Sequence, residues 1–229
     1  MITPESNSAS SANCEQKGRL KTSQSFTEQW DRMKLLCVVL CGGRSSRMGT
    51  DKAELIHPTG KTFLHHAVDR AKEVSQDVYL SGYARPGATC PTIVDPVAFR
   101  GPATGIAAAV ARAADEHFAG CLVTPVDMPN LTSKHLMRLR QEWLKSPGEL
   151  IVAMSAEDGQ LQPLVAIYPA GFADSLRALA ESERRGLVSW FSTRPHRIFE
   201  LSAIDCQNIN TRADHETNQT SIYRAADAD

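Results

Sequence analysis

The chain has 229 residues, of which 42% are hydrophobic, and 25 Lys and Arg residues nearly balance 26 Asp and Glu residues, so the formal charge is −1. This balance excludes a general attraction to nucleic acid or anionic membranes, so any anion site must be local. The apolar fraction suffices for a folded core. The sequence shows no apolar stretch of the roughly 20 residues that span a membrane, and no apolar segment typical of a signal peptide.

The cysteines indicate a reducing environment. The chain has six of them, none in a C-x-x-C arrangement: Cys14, Cys37, Cys41, Cys90, Cys121 and Cys206. A disulfide framework is not expected in a chain of this length without a secretory signal. We therefore expect free thiols and a cytoplasmic protein. Cys37 and Cys41 would share one face of a strand, where buried core positions are favoured over a metal-binding pair.

The first 33 residues differ in composition from the rest of the chain. Serine recurs there and apolar residues are sparse, so the segment cannot bury enough surface to offset the entropy lost on ordering. We predict a disordered Ser-rich N-terminal tail over 1–33, a single folded domain over 34–217 and a flexible C-terminal tail over 218–229. A partner-binding arm is the alternative for the first segment.

Hydrophobic periodicity predicts strands and helices in turn from residue 35 onward. The first strand, 35–41, is apolar throughout, which is typical of a strand buried on both faces. Further strands are predicted at 77–80, 92–94, 120–126, 150–154, 164–168 and 197–201. Apolar residues at helical spacing predict helices at 62–74, 104–117, 134–145, 173–180 and 186–191. Thr132 and Ser133 are positioned to cap the third of these helices.

This alternation predicts an α/β fold. Right-handed crossovers between such elements give a mainly parallel sheet covered by helices on both faces. No internal repeat and no linker interrupts the stretch, which favours one domain. Because ligands of open parallel sheets bind beyond the carboxyl ends of the strands, the segments that follow the strands are the candidate site.

The segment after the first strand has the composition of a phosphate-binding loop. Gly42 and Gly43 let backbone N–H groups approach an anion without hindrance from a Cβ atom. Arg44, Arg47 and Lys52 add three cations nearby. The loop is neither a Walker A motif nor a G-x-G-x-x-G motif. On glycines and charges alone, a glycine-rich turn with solvated arginines is the alternative.

Two carboxylates follow later strands at the same end of the predicted sheet. Asp127 comes directly after the buried strand 120–126, and a carboxylate beside a phosphate loop is well placed to hold Mg²⁺. Asp also commonly caps a helix or turn at such a position. Asp95, which precedes Pro96, has the same two interpretations on sequence alone.

Five segments together resemble one known family. Residues 40–53, LCGGRSSRMGTDKA, are similar to the pattern L-A-G-G-x-S-x-R-M-G-x-D-K-A of the MobA-like nucleotidyltransferases typified by the molybdenum cofactor guanylyltransferase. GPATGI at 101–106 is similar to the family's G-P-L-x-G-I, and PVDMP at 125–129 is similar to C-D-M-P. QPLVAIY at 162–168 matches the corresponding segment of the family, and NINTRAD at 208–214 is similar to N-I-N-T-P-x-D. The D-K pair and the N-I-N-T motif favour the guanylyltransferase branch over the sugar-phosphate relatives.

The resemblance implies both a fold and an activity. The fold would be a Rossmann-like three-layer sandwich with a mostly parallel sheet, of the nucleotide-diphospho-sugar transferase type. The activity would be Mg²⁺-dependent transfer of GMP from GTP to the phosphate of molybdenum-molybdopterin, forming the guanine dinucleotide cofactor and releasing pyrophosphate. Partners would be GTP and the molybdopterin cofactor, with molybdenum cofactor insertion proteins as protein partners and neither nucleic acid nor membrane. The chain would be a monomer or a weak oligomer.

Carried over residue by residue, the resemblance assigns nucleotide binding to Leu40, Cys41, Gly42, Lys52, Ser81, Asp95 and Asp127. The backbone of Gly43 would join Gly42 in holding the triphosphate. Lys52, Arg47 and Asp127 would be catalytic, with Asp127 as the magnesium ligand, and Asp95 would contact guanine or ribose. Cys41 departs from the usual alanine, Ser81 from the asparagine of some relatives and Arg212 from the usual proline.

The acceptor is expected toward the C-terminal half of the chain, near Gln162, Arg184, Arg185, Asn208 and Asn210. The arginine pair suits a pterin phosphate, although a solvated helix start explains the pair equally well. Two other functions stay open. One is a related cytidylyl- or sugar-phosphate nucleotidyltransferase, and the other is a non-catalytic nucleotide-binding adaptor on the same fold.

Overall fold

The structure is a computed structural model that describes residues 33–41, 51–83, 85, 88–95, 101–211, 214 and 216. The predicted tails over 1–33 and 218–229 therefore lie almost wholly outside the described residues. The same is true of the loop 42–50, which includes Gly42, Gly43 and Arg47. The two tails and the phosphate-binding loop therefore stay predictions.

The described part of the chain contains seven strands with five helices distributed among them. The strands are β1 (Leu35–Leu40), β2 (Val78–Gly82), β3 (Thr92–Val94), β4 (Gly120–Pro125), β5 (Leu150–Ser155), β6 (Leu161–Pro169) and β7 (His196–Leu201). The helices are α1 (Phe63–Lys72), α2 (Pro102–Asp115), α3 (Ser133–Trp143), α4 (Ala173–Glu181) and α5 (Leu187–Ser192), and short 3-10 turns lie at Lys52–Glu54 and Ala170–Phe172. All the predicted strands and helices are present, with shifts at their ends.

The strands form one sheet in the order β3-β2-β1-β4-β6-β5-β7. β1 pairs in parallel with β2 and β4, β2 with β3, and β5 with β7. β6 alone runs the other way, antiparallel to both β4 and β5. The mostly parallel sheet is thus confirmed, with one reversed strand that the alternation of elements did not reveal.

Two apolar layers cover the sheet. On one face, Cys37 and Val39 of β1 pack in a cluster with residues of α1 and α3, including the fully buried Trp143. On the other face, Leu36 and Val38 pack with residues of α2, α4 and α5. This arrangement confirms the three-layer sandwich, and it explains why β1 is apolar at every position.

Threonine side chains cap two of the helices. The Thr62 side chain accepts from the His65 backbone N–H at the start of α1, and Thr132 accepts from the His135 N–H at the start of α3 as predicted. Each such cap stabilises its helix by about 1 kcal/mol. α2 begins differently, because Gly101 at φ 93° turns the chain directly into Pro102 at the first helical position. That backbone conformation favours glycine.

Strand direction brings several chain segments to one end of the sheet. β1, β2, β3 and β4 all finish there, and the reversed strand β6 begins there.

Among the described residues, no helix is long and apolar enough to cross a membrane.

Candidate active site

A cleft of about 170 Å³ lies at the carboxyl end of the parallel strands. Its walls come from the ends of β1, β2 and β4, the first turn of α2 and the start of β6. The lining includes Leu40, Cys41, Lys52, Ser81, Asp95 and Asp127. The structure therefore brings together all the described residues to which nucleotide binding was assigned.

Lys52 makes the central contacts of this cleft. Its Nζ donates to Asp127 Oδ2 at 2.8 Å and to Asn210 Oδ1 at 2.8 Å. The Lys52 and Asp127 side chains are 20% and 21% exposed, so the pair is shielded from water yet open to a ligand. The segments 40–53, 125–129 and 208–214, which are far apart along the chain, thus meet at the Lys52 ammonium group.

The segment that carries Lys52 is held by Asp51. Asp51 Oδ1 accepts from the Ala53 N–H and so caps the 3-10 turn. Asp51 Oδ2 accepts from Tyr83 Oη at 2.7 Å and forms an ion pair with Arg85 at 2.7 Å. Burial raises the pKa of the Asp51 carboxyl, but the hydrogen bonds from Arg85, Tyr83 and the Ala53 N–H outweigh it, and the net pKa is lowered.

Arg85 also connects Asp51 to the end of β1. Its Nη2 donates to the backbone oxygen of Cys41 at 2.8 Å, and the Cys41 thiol in turn donates to the Ser81 backbone oxygen at 3.2 Å. Burial raises the pKa of the Cys41 thiol. Cys41 is therefore a neutral, tightly packed wall residue, as the core interpretation of this cysteine predicts.

Ser81 and Asp95 form the other side of the cleft. Ser81 Oγ donates to Asp95 Oδ1 at 3.1 Å. Burial raises the pKa of the Asp95 carboxyl, and the Ser81 hydrogen bond opposes the rise only in part. Gly105 of α2 packs against both, because a Cβ atom there would lie 2.3 Å from Ser81 Oγ and 3.2 Å from Asp95 Oδ1. The glycine of the GPATGI segment thus makes room for this pair.

Asp127 follows β4 on a backbone that other segments hold in place. The Ile209 N–H donates to the Asp127 backbone oxygen at 2.9 Å, and Ile209 is fully buried. From α1, Arg70 donates to backbone oxygens on both sides of Asp127. Burial lowers the pKa of Arg70 to about 10, so the guanidinium remains charged at neutral pH.

The C-terminal motif is ordered around a second carboxylate. Asp214 Oδ2 accepts from the backbone N–H groups of Asn210 and Thr211 at 2.9 and 2.8 Å. These hydrogen bonds lower the pKa of Asp214. They fix the backbone from which the Asn210 side chain meets Lys52. Asn208 is half-buried two residues earlier.

The other predicted acceptor residues lie outside the cleft lining. Gln162 is half-buried near the start of β6, two residues before Leu164, which does line the cleft. Arg184 is exposed between α4 and α5. Arg185 Nη1 donates to the Ser182 backbone oxygen at 2.9 Å at the end of α4. Of the five predicted acceptor residues, the structure thus connects only Asn210 directly to Lys52.

Sequence reasoning did not single out Arg70, Arg85 or Tyr83. Arg70 carried a usable signal, since it falls seven residues after the buried Phe63, on the apolar stripe of α1. A charged residue on such a stripe needs buried partners. Arg85 and Tyr83 lie in an irregular segment after β2, where no periodicity marks them.

The profile of the MobA-like NTP transferase domain matches residues 37–198 of this chain. The chain belongs to this family. A relative from Rhodopirellula baltica, named "Probable molybdenum cofactor guanylyltransferase", is 39% identical over 188 residues, which is 79% of this chain and 89% of that protein. The resemblance on which the sequence analysis relied is therefore confirmed.

Solved structures of low identity share the fold of this MobA-like transferase. Molybdopterin-guanine dinucleotide biosynthesis protein A from Archaeoglobus fulgidus superposes with a TM-score of 0.67 at 20% identity, covering 83% of this chain and all of that one. A Mycobacterium tuberculosis protein in complex with manganese has a TM-score of 0.60 at 19% identity, covering 82% of this chain and all of that one. These likenesses confirm the nucleotide-diphospho-sugar transferase type of sandwich.

Proposed function

We propose that this chain transfers GMP from GTP to the phosphate of molybdenum-molybdopterin and releases pyrophosphate. The observation that carries the proposal is the junction at Lys52, where the D-K, D-M-P and N-I-N-T motifs meet through Asp127 and Asn210. Two of these motifs, D-K and N-I-N-T, favour guanylyl transfer, and the name of the Rhodopirellula relative supports the same activity.

Asp127 suits a hard divalent cation. Its carboxylate offers oxygen donors at a half-open position, and Mg²⁺ is commonly held by one or two carboxylates together with substrate phosphates and water. The manganese in the Mycobacterium tuberculosis structure of the same fold supports a divalent metal in this architecture. Bound at Asp127, Mg²⁺ would neutralise phosphate charge and orient oxygens at the reacting phosphorus.

The reaction itself joins two anions. A phosphate oxygen of the acceptor attacks the α-phosphorus of GTP, the bond to the β-phosphate oxygen breaks, and pyrophosphate leaves. Such a transfer depends mainly on positioning and charge neutralisation, and it needs no covalent intermediate. Lys52 supplies a cation for the triphosphate and the leaving pyrophosphate. We propose that the predicted loop residues Gly42, Gly43 and Arg47 assist it.

Ser81 and Asp95 form the nucleoside side of the proposed site. A carboxylate accepts hydrogen bonds, and both the Watson–Crick edge of guanine and the ribose hydroxyls offer donors. The half-buried position of Asp95 strengthens such bonds, because the local dielectric is lower than that of water. On the acceptor side, we propose Asn208, Asn210 and Gln162, with Arg184 and Arg185 as cations for the acceptor phosphate.

The free thiols support a cytoplasmic location. Cys37, Cys41, Cys90, Cys121 and Cys206 are free in the structure, as expected in a reducing compartment. We propose that molybdenum cofactor insertion proteins receive the product there.

A nucleotide and acceptor screen tests the proposal. The purified chain is incubated with Mg²⁺, molybdopterin cofactor and each of GTP, CTP, ATP and UTP, and pyrophosphate is measured. We expect release with GTP that depends on the acceptor. Preference for CTP would assign the chain to the cytidylyl branch, and nucleotide binding without pyrophosphate release would indicate an adaptor.

A further inference from the structure

Arg70 is a buried cation in the last turns of α1. Its exposure is 4%, and it lies on the face of the helix that packs on the sheet. A charged side chain in such a place is costly unless hydrogen bonds compensate for the lost hydration. The partners of this guanidinium therefore indicate what the buried charge does in the fold.

The hydrogen-bond acceptors of the Arg70 guanidinium come from one short segment of the described chain. Nη1 donates to the backbone oxygens of Met128 at 2.7 Å and Leu131 at 3.1 Å. Nη2 donates to Thr124 Oγ1 at 3.1 Å and to the backbone oxygen of Pro125. The segment runs from the end of β4 to the start of α3, and Asp127 lies at its centre.

The four hydrogen bonds of Arg70 lie on both sides of the turn that contains Asp127. Two of the accepting oxygens precede Asp127 and two follow it, so one planar guanidinium fixes the chain on both sides of the carboxylate. From the opposite direction, the Ile209 N–H holds the backbone oxygen of Asp127 itself. A lysine at position 70 has a single nitrogen and could not span these acceptors.

We propose that Arg70 is a positioning residue, which holds the turn that aims the Asp127 carboxylate at its metal and at Lys52. The inference rests on the proposed function, in that Asp127 is taken as the metal ligand. Arg70 touches neither substrate nor metal and acts through the backbone. Catalytic constellations lose efficiency when a supporting contact lets a reacting group drift by about 1 Å.

The test compares Arg70→Lys with Arg140→Lys. Arg140 of α3 makes a similar tether, since its Nη1 donates to the Val74 backbone oxygen at 2.8 Å, but it lies at the other end of the sheet. Both variants keep the positive charge but lose the planar guanidinium with its several nitrogen donors. Kinetics are measured as a function of Mg²⁺ concentration, and Mn²⁺ binding in the presence of GTP is followed by electron paramagnetic resonance, which needs no turnover.

For Arg70→Lys, we expect kcat to fall by about 10- to 100-fold, with a several-fold weaker affinity for Mn²⁺ and a matching rise in the Mg²⁺ needed for half-maximal activity. Arg140→Lys should lower the melting temperature without changing either metal readout. A folded Arg70→Lys protein with unchanged kcat and Mn²⁺ affinity would overturn the inference.

A second variant covers the case in which Arg70→Lys does not fold. Thr124→Val removes one acceptor of Arg70 with little change in shape, and it should weaken Mn²⁺ binding in the same direction. Unchanged Mn²⁺ affinity in that variant would equally refute a positioning role. Failure of the proposed function would look different, because the wild-type chain would then release no pyrophosphate from GTP in the presence of acceptor.

Discussion

The two ends of the sheet each carry a charged recess, and they differ in how the charges are held. The cleft at the carboxyl end measures about 170 Å³ and contains the half-buried pair of Lys52 and Asp127. The recess at the amino end is larger, at about 560 Å³, and its lining includes Lys72, Glu73 and Asp77. Among the residues that the structure describes, no ion pair joins these three to another charge.

This difference shows that size and charge do not by themselves indicate a site. In the larger recess, Lys72 and Glu73 are exposed and strongly screened by water. In the smaller cleft, water is partly excluded and opposite charges meet at 2.8 Å, so each charge has a greater effect on a bound ligand. Three pairs of matched substitutions test this difference between the recesses, and a fourth pair tests the charges along α1.

The largest expected effect is at Asp127. Asp127→Asn removes the proposed metal ligand and should lower the rate of pyrophosphate release by about 10²- to 10³-fold, as loss of a main electrostatic contact does elsewhere. The fold should be intact by circular dichroism. Asp77→Asn makes the same change in the other recess and should keep the rate within about twofold. Equal losses in both variants would remove the distinction between the two recesses.

The next effect is at Lys52. Lys52→Met keeps the length of the side chain but removes the cation, and kcat should fall by about 10²-fold, because the leaving pyrophosphate loses a counter-charge. The control is Lys72→Met, at an exposed position of the opposite recess. Steady-state kinetics with GTP would show the split. A Lys52→Met enzyme with unchanged kcat and a raised KM would show that Lys52 stabilises bound GTP and the transition state equally, and so contributes to binding but not to catalysis.

A smaller effect is expected at Asp95, where a substitution should weaken nucleotide binding but stabilise the fold. Asp95→Asn should weaken GTP binding by about tenfold, as loss of a charged hydrogen-bond acceptor does, measurable by calorimetry. Glu73→Gln, its exposed counterpart, should bind as the wild type does. If inosine triphosphate, which lacks the guanine amino group, binds the wild type and Asp95→Asn equally, Asp95 contacts the base. A contact with ribose predicts the same loss for both nucleotides.

The stability effect follows from the raised pKa of the Asp95 carboxyl. A carboxyl whose pKa is higher in the folded state stabilises the fold when it is protonated, and this contribution is lost as the pH rises through the folded-state pKa. Asp95→Asn should therefore raise the melting temperature at neutral pH. A lower melting temperature than that of the wild type would contradict the burial cost.

The smallest effect concerns His66, one turn before Arg70 on α1. Its ring stacks on His57 with centroids 3.8 Å apart. Burial, and then the charges of His57 and Arg70, lower the pKa of His66 from 6.5 to about 4, while Asp69 opposes the shift. The unfolded chain therefore binds a proton before the folded chain does, and stability is lost as the pH falls from 6.5 toward 4.

Thermal melts between pH 4 and 7 would show this loss. His66→Gln should flatten the pH dependence, whereas His65→Gln, at the exposed neighbouring position, should keep it. If both variants follow the wild-type curve, the stacked pair does not determine acid stability on this side of the sheet.

The layers of the fold could be predicted from sequence because local patterns determine them. Uninterrupted apolar residues marked β1, and Thr132 marked the start of α3. The direction of β6 was missed, although the gap between the predicted strands 150–154 and 164–168 is too short for the crossover that a parallel pair needs. The return of β6 against β4 depends on the short connection from β5, and it carries Leu164 to the cleft.

The site could be predicted only as a set of separate motifs. The resemblance named Lys52, Asp127 and Asn210. Lys52 is 75 positions from Asp127 and 158 positions from Asn210 along the chain, and periodicity cannot show that residues so far apart in sequence are in contact. The charge of Arg70 on the apolar stripe of α1 was a usable signal, but the backbone oxygens that it holds leave no mark in the sequence, so its partners could not be predicted. Gly42, Gly43 and Arg47 stay predictions from the composition of their loop.

The contact of Lys52 with Asn210 has a consequence for synthesis of the chain on the ribosome. The two residues are 158 positions apart, so the ammonium group acquires this partner only after nearly the whole domain has been translated. Because synthesis runs from the N-terminus, the segments that carry Lys52 and Asp127 are translated much earlier. A nascent chain that ends before Asn210 would contain the proposed metal ligand and the cation without the asparagine, so the proposed site is complete only after its last motif has been translated.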